Sequence, residues 1–450
     1  MLLDRFLLLA VLGSALLAAR PGVAGVTAEQ LARLDSELTP VGAERGANAD
    51  GSIPPWTGGL PQQALDPAVG YVDPYAADPV LFSISAANAE QYAGHLSAGQ
   101  RQMLSQYPQT YRMNVYPSRR SANWPAEVLA EVRRQAPYAR TEGYALLDVG
   151  KSAVPFPLTR DPLQMMWNHT LRWRGGSVIR EYSWFPVDRK GRYFNVRVIE
   201  AMAFDQQGYV NGSRPNRLFN LYGVYMAPAS IEGQITLVWE PINQVDEPRQ
   251  VWSYQPVTRR VSRDPGLGYG DIDKRTQGLR TVDQYDGWNG APDLYDWKLL
   301  GKRELYIPYN SYKLSNKQLK YQDMIRPGHL DPALLRYELH RVWVIEATLR
   351  PGKVHRYPRR TFYLDEDTWQ VALEDAYDSA GQLWRFAEYP AMQFYDALVP
   401  WYRAQLVYDF KAGAYLVSDL DNESVRPRKW GIKPDITVFM PVNLRRLGTR

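Results

Sequence analysis

The chain predicts an α+β protein that is mainly β: a large antiparallel sheet, sandwich or barrel-like, with covering helices and a long N-terminal arm. Three observations carry that reading. Residues 341–377 form two strand-like runs around an acidic turn. Aromatic side chains are numerous, with 30 Tyr and 14 Trp in 450 residues. From residue 177 onward, short apolar runs are separated by turn residues at the spacing of sequential antiparallel strands.

In 342–349, Trp343, Ile345, Ala347 and Leu349 alternate with Val344, Glu346 and Thr348, the period of two expected of a strand with one buried face. Residues 361–364 are β-branched and aromatic, Asp365-Glu366-Asp367 favours a turn, and Trp369, Val371 and Leu373 alternate on the way out. The whole reads as a hairpin. Tyr and Trp join an apolar body to a polar edge, which suits strands, barrel rims and ligand-facing walls. Further strands are expected at 178–185, 193–204, 218–226, 231–239, 250–254, 304–307, 383–389, 401–409 and 436–440. Helices are expected at 28–38, ending at Thr39-Pro40, at 97–106 behind a Ser N-cap, and at 126–135 after Pro125. Residues 42–78, rich in Gly, Pro, Ala and Asp, read as an extended arm or loop.

Hydrophobic residues make up 45% and charged residues 22% of the chain, a globular composition. The formal charge is +5, but Lys and Arg are scattered among 48 acidic residues, which argues against a nucleic-acid partner. Cysteine is absent, so disulfides, thiol catalysis, Cys-zinc sites and a lipidated N-terminal cysteine are excluded. Arg5 followed by the apolar run 6–19 and the small residues Val23-Ala24-Gly25 reads as a secretory signal, cleaved near residue 25. The apolar run is shorter than the roughly 20 residues that a spanning helix needs. The expected organisation is a signal peptide at 1–25, an N-terminal helix and arm at 26–96, and a β-rich body at 97–450, built as one sheet or as two lobes with a boundary near 177–230. In a Gram-negative cell the location would be periplasmic.

Trp252 and Tyr254 share one strand face, and Arg259, Arg260 and Arg263 follow. The rings suit a cavity wall and the arginines an anionic head group; the same pattern also fits a strand with a basic exposed end. Gly266-Leu267-Gly268-Tyr269-Gly270 lacks the strand-to-helix context of a dinucleotide loop and reads as a loop that could gate a cavity. The carboxylates at 365–367, 374–375, 293 and 296 suit turns as well as acid and base roles. The five histidines show no HxH or HExxH spacing, and neither a GxSxG elbow nor a Walker loop is present. No metal, cofactor or catalytic residue is expected.

Several segments carry a resemblance: LTPVGAERGANADGSIPPWTGG at 38–59, PFPLTRDPLQMMWNH at 155–169, WSYQPVTRRVSRDPGLGYGD at 252–271, GLRTVDQYDGWNGAPDLYDWKLLGK at 278–302, and the hairpin. They resemble a bacterial family of unknown function (domain of unknown function 1329), described as outer membrane lipoprotein-sorting proteins and distantly similar to the carrier LolA and its receptor LolB. The resemblance implies a half-open antiparallel barrel wrapped over a helix or lid, with an apolar cavity for acyl chains. It also implies a partner among inner-membrane exporters of the resistance-nodulation-division type and a partner at the outer membrane. The expected function is a periplasmic carrier or chaperone for a lipid or lipid-like molecule, without covalent chemistry. The candidate wall residues are Trp343, Ile345, Leu349, Trp252, Tyr254 and Trp369, and the head-group candidates are Arg259, Arg260 and Arg263. The alternatives are a structural module of an envelope export complex and a hydrolase acting on glycan or lipid.

Overall fold

Sixteen strands pair in one open sheet in this computed structural model, which describes residues 26–448; the expected signal peptide lies outside the described residues. The sheet path starts at Arg260–Arg263 and runs through Gln250–Gln255, Ile235–Glu240, Phe219–Ala227 and Val196–Ala203 to Ser177–Val187. There it joins Ala414–Leu420, with Phe185 opposite Val417. It continues through Gln405–Asp409, Leu383–Glu388, Val371–Tyr377 and Arg359–Asp365 to Tyr337–Leu349, beyond which lie Tyr295–Pro308 and two short strands. The two ends do not pair with each other, so the barrel is half open. With 32% strand against 18% helix, the protein is mainly β.

Alternation along Tyr337–Leu349 sends Trp343, Ile345 and Ala347 to the inner face and Val342 and Val344 to the outer face, and both sets are buried. One buried face was expected. The outer face is covered as well, because the helix Ala98–Gln106 and the turns at 312–334 pack over it. Ser97 caps that helix, and the backbone N–H groups of Ala98 and Gly99 donate to the buried Asp375 carboxylate at 3.1 and 2.9 Å. A capping interaction of this kind contributes about 1 kcal/mol. Gly99 is required by contact: a Cβ there would lie 2.1 Å from the Phe386 ring.

The helix Ala126–Gln135 forms as expected, whereas 28–38 divides into Ala28–Ala32 and a 3-10 turn at Arg33–Asp35. Three further differences have local causes. Residues 401–409 split into Val399–Tyr402 and Gln405–Asp409, separated by the buried Arg403. The expected strand at 436–440 is a 3-10 turn, Ile436–Phe439, started by Asp435, whose side chain accepts from Thr437 N–H. A helix at Pro162–Leu171 was not foreseen. Asp161 caps it and Pro162 opens it, but every residue from Met165 to Leu171 is buried, so the one-sided pattern that marks a surface helix is missing. It fills the inner face opposite Trp343, Phe362 and Val371.

Candidate functional site: a pocket beneath a strap

The inner face of Ser177–Val187 through Gln250–Gln255 is covered not by the helix but by residues 264–290, a strap of short turns. Between strap and sheet lies a pocket of about 120 Å³. Its floor is apolar, from Val198, Phe219, Leu221, Val238 and Val251. Gly223, paired with Thr236, leaves room beside them; a Cβ there would meet Val198 at 3.1 Å. The strap contributes Leu267, Arg275, Arg280, Val282 and Tyr285.

Two strand carboxylates latch the strap. Tyr285 donates to both oxygens of Glu200 at 3.1 Å, and Glu200 is also held by Arg180 and by the Tyr182 hydroxyl at 2.9 Å. Tyr269 donates to Glu240, which also accepts from Arg249 at 2.6 Å and from Asn289 at 3.3 Å. Burial, and then the adjacent carboxylates, push the Tyr269 and Tyr285 hydroxyls well above their ordinary range, so both stay protonated donors.

The last part of the strap anchors in the packed half of the inner face. Asp286 pairs with Arg172 at 2.7 Å and with Arg174, and it accepts from the Trp401 indole at 2.6 Å. Burial alone would raise its pKa, but the two arginines overrule it and bring it to about 2. Asp283 and Glu374 flank the fully buried Arg360. His169 bonds the Trp369 carbonyl through Nδ1 at 3.2 Å and accepts from Trp288 N–H at Nε2. Burial, reinforced by Arg172, lowers its pKa well below the ordinary range, so it remains neutral.

Among the residues predicted from sequence, Trp343, Ile345 and Trp369 lie in the inner-face core, and Leu349 packs at its margin. The Trp343 ring is covered by Arg160 and Lys302 at 4.5 and 4.4 Å from its centroid, and the Trp369 indole donates to the Val41 carbonyl of the arm at 2.8 Å. Trp252 and Tyr254 do share one face, the one turned away from the pocket, beneath the C-terminal turns that carry Phe439 and Leu444. Arg259, Arg260 and Arg263 are exposed on the edge hairpin, and Arg263 stacks on Trp252. The Gly266–Gly270 loop begins the strap. Sequence reasoning passed over Glu200, Glu240 and Arg249. The available signal was phase: Glu200 shares parity with the inward-facing Val196 and Val198, and Glu240 with Val238.

The acidic turn is buried rather than exposed. Asp365, Glu366 and Asp367 are each 4% exposed or less, and the ligand atoms of His340, Asp365 and Asp367 lie within 4.8 Å of one another. Both Asp367 oxygens are occupied by Arg120 at 2.6 and 2.9 Å, and Arg120 also donates to the Glu44 carbonyl at 2.7 Å. Arg120 therefore clamps the N-terminal arm to the acidic turn.

The family model for "Protein of unknown function (DUF1329)" matches residues 83–445. The uncharacterized protein PA3922 of Pseudomonas aeruginosa is 43% identical over 433 residues, 95% of each chain. A DUF1329 family protein from Desulfovibrio piger overlaps 63% of this chain and 99% of its own, at 15% identity and TM-score 0.43. A putative outer membrane lipoprotein-sorting protein domain from Vibrio parahaemolyticus overlaps 63% and 97%, at 11% identity and TM-score 0.43. No described helix is long and apolar enough to cross a membrane. On the extent of the family match and the 43% relative, the chain belongs to the DUF1329 family of proteins of unknown function.

Proposed function

We propose that the protein is a non-covalent binder and carrier of a small hydrophobic molecule in the bacterial periplasm. The observation that supports this most is the pocket itself: apolar strand residues form its floor, and a strap with polar latches forms its cover. Apolar burial at about 25 cal/mol per Å² would drive binding, less the cost of ordering the ligand. The latches offer a way in, because each joins the strap to the sheet through hydrogen bonds that can break and re-form. Signal cleavage near residue 25 and delivery from an exporter of the resistance-nodulation-division type toward an outer-membrane partner belong to the same proposal. So does the division into an arm at 26–96 and a body from 97. Arg259, Arg260 and Arg263, on the open edge beside the strap, are proposed as first contacts for an anionic head group. The inner-face rings Trp343 and Trp369, with Ile345 and Leu349, would form the wall against which a longer ligand extends, and Trp252 and Tyr254 would back the pocket from the opposite face of its strand.

The test is native mass spectrometry of protein purified gently from its own periplasm, followed by organic extraction. A stoichiometric hydrophobic molecule is the expected result. An empty protein that also fails to take up a fluorescent acyl probe would overturn the carrier and favour a structural role in an envelope complex.

A further inference from the structure

Resting on the carrier reading, we infer that the ligand is a small amphiphile with a single carboxylate, its head held by Arg275 and Arg280 and its tail on the apolar floor. The first argument is the state of the polar groups around the pocket. Each lining carboxylate is already engaged: Glu200 by Arg180, Tyr182 and Tyr285; Glu240 by Arg249, Tyr269 and Asn289; Asp273 by Arg280 at 2.8 Å and by the Arg275 N–H at 3.1 Å. The donors are not. Arg280 is 91% buried, yet its Nε has no hydrogen-bond partner among the described residues. Arg275 lines the same pocket, makes no ion pair among the described residues, and lies 4.7 Å from the centroid of the Tyr225 ring. A buried donor without an acceptor is costly, and a guanidinium fork suits a carboxylate. What the pocket lacks is therefore an acceptor, which a cationic or purely apolar ligand would not supply.

The second argument is size. The pocket, at about 120 Å³, is small and partly open to solvent. That suits a single short chain, for which an eight-carbon carboxylate is the probe, better than a multiply acylated lipid. The third argument is placement. Asp273 accepts from the Arg275 backbone N–H and from the Arg280 guanidinium, so both residues belong to one part of the strap and both line the pocket opposite the floor contributed by the strands. Head-group capture would then hold the strap down, so that ligand binding and closure reinforce each other.

The experiment measures binding of octanoate, octanol and octylamine to the ligand-stripped mature chain by titration calorimetry. The three share one tail and differ only in the head. We expect octanoate to bind at least about tenfold more tightly than octanol, the value of one added charge-assisted hydrogen bond, and octylamine to bind more weakly than either. In Arg275→Gln the ratio of octanoate to octanol affinity should fall, with Arg280 retaining part of the preference, and Arg275→Lys should recover part of the loss. Equal affinity for octanoate and octanol, or a preference for octylamine, overturns the head-group assignment and leaves the carrier intact. Failure of all three to bind overturns the carrier reading and this inference with it. The wild-type comparison stands even if a variant does not fold.

Discussion

The inner face of this sheet is covered in two ways. Across the strands between 337 and 420, the helix Pro162–Leu171 packs its apolar residues against Trp343, Phe362 and Val371, and the buried pairs of Arg172, Arg174 and Arg360 close what remains. Across the strands between 177 and 255, the cover is the strap, which meets the sheet at Tyr269, Arg275 and Tyr285 and leaves the pocket between. The strands of both halves alternate in the same manner. What distinguishes the close-packed half from the pocket here is the shape of the cover: a helix presents a continuous row of side chains, whereas a strap of 3-10 turns presents isolated ones.

The largest effect is expected where the strap is riveted into the packed half. Asp286→Ala would strand Arg172 and Arg174 in the core, and losing one member of a buried ion pair costs about 3–5 kcal/mol. Urea unfolding measures this; a loss below 1 kcal/mol would mean that the two halves are not joined through Asp286.

A smaller, pH-dependent effect marks the same half. His169 stays neutral when folded, while in the unfolded chain it takes up a proton near pH 6.5. The unfolded state then binds more protons, so this group makes stability fall as pH drops below about 6.5, by up to about 1.4 kcal/mol per pH unit. The slope continues until the lowered folded pKa is reached. His169→Gln should be less stable overall but should lack that component, and thermal melts of both proteins from pH 7 to pH 5 would reveal it. Parallel pH profiles would contradict the neutral, core-bound His169.

On the pocket side the changes should be modest in stability and visible in exchange. Tyr285→Phe removes one latch on Glu200 and should cost about 1 kcal/mol, with faster hydrogen exchange confined to 264–290 and faster release of octanoate. Exchange that rises equally in the packed half would show that the strap does not open by itself. The smallest stability change is expected from Val238→Phe, within about 1 kcal/mol, because the added ring enters existing space. Octanoate affinity should nevertheless fall at least about tenfold. Unchanged affinity would move the ligand out of this pocket.

Much of the fold was legible in one dimension. Alternation located most of the strands, and Ser97 and Pro125 marked the starts of two helices, because strand phase and helix capping are local properties. The helix at 162–171 escaped since it is buried on every side, with Asn168, His169 and Thr170 buried among its apolar residues, and the turn at 436–439 because Asp435 capping outweighed a short β-branched run. Both buried faces of Tyr337–Leu349 were hidden for a related reason: a strand covered on two sides loses the polar half of its alternation.

The candidate site was less legible. Trp343 and Trp369 have the ring character of a cavity wall, yet they pack into the core beneath a helix and an arm. Glu200 and Glu240 belong to no motif and were passed over. The sequence by itself determined the sheet, its strand phases, the absence of cysteine chemistry and the family, all of which depend on local pattern or on similarity along the chain. Tertiary structure alone decided which inward-facing residues border empty space and which carboxylates already hold partners. Those properties arise from contacts between segments far apart in sequence, such as Tyr285 with Glu200 and Asp286 with Arg172, and no local periodicity encodes them.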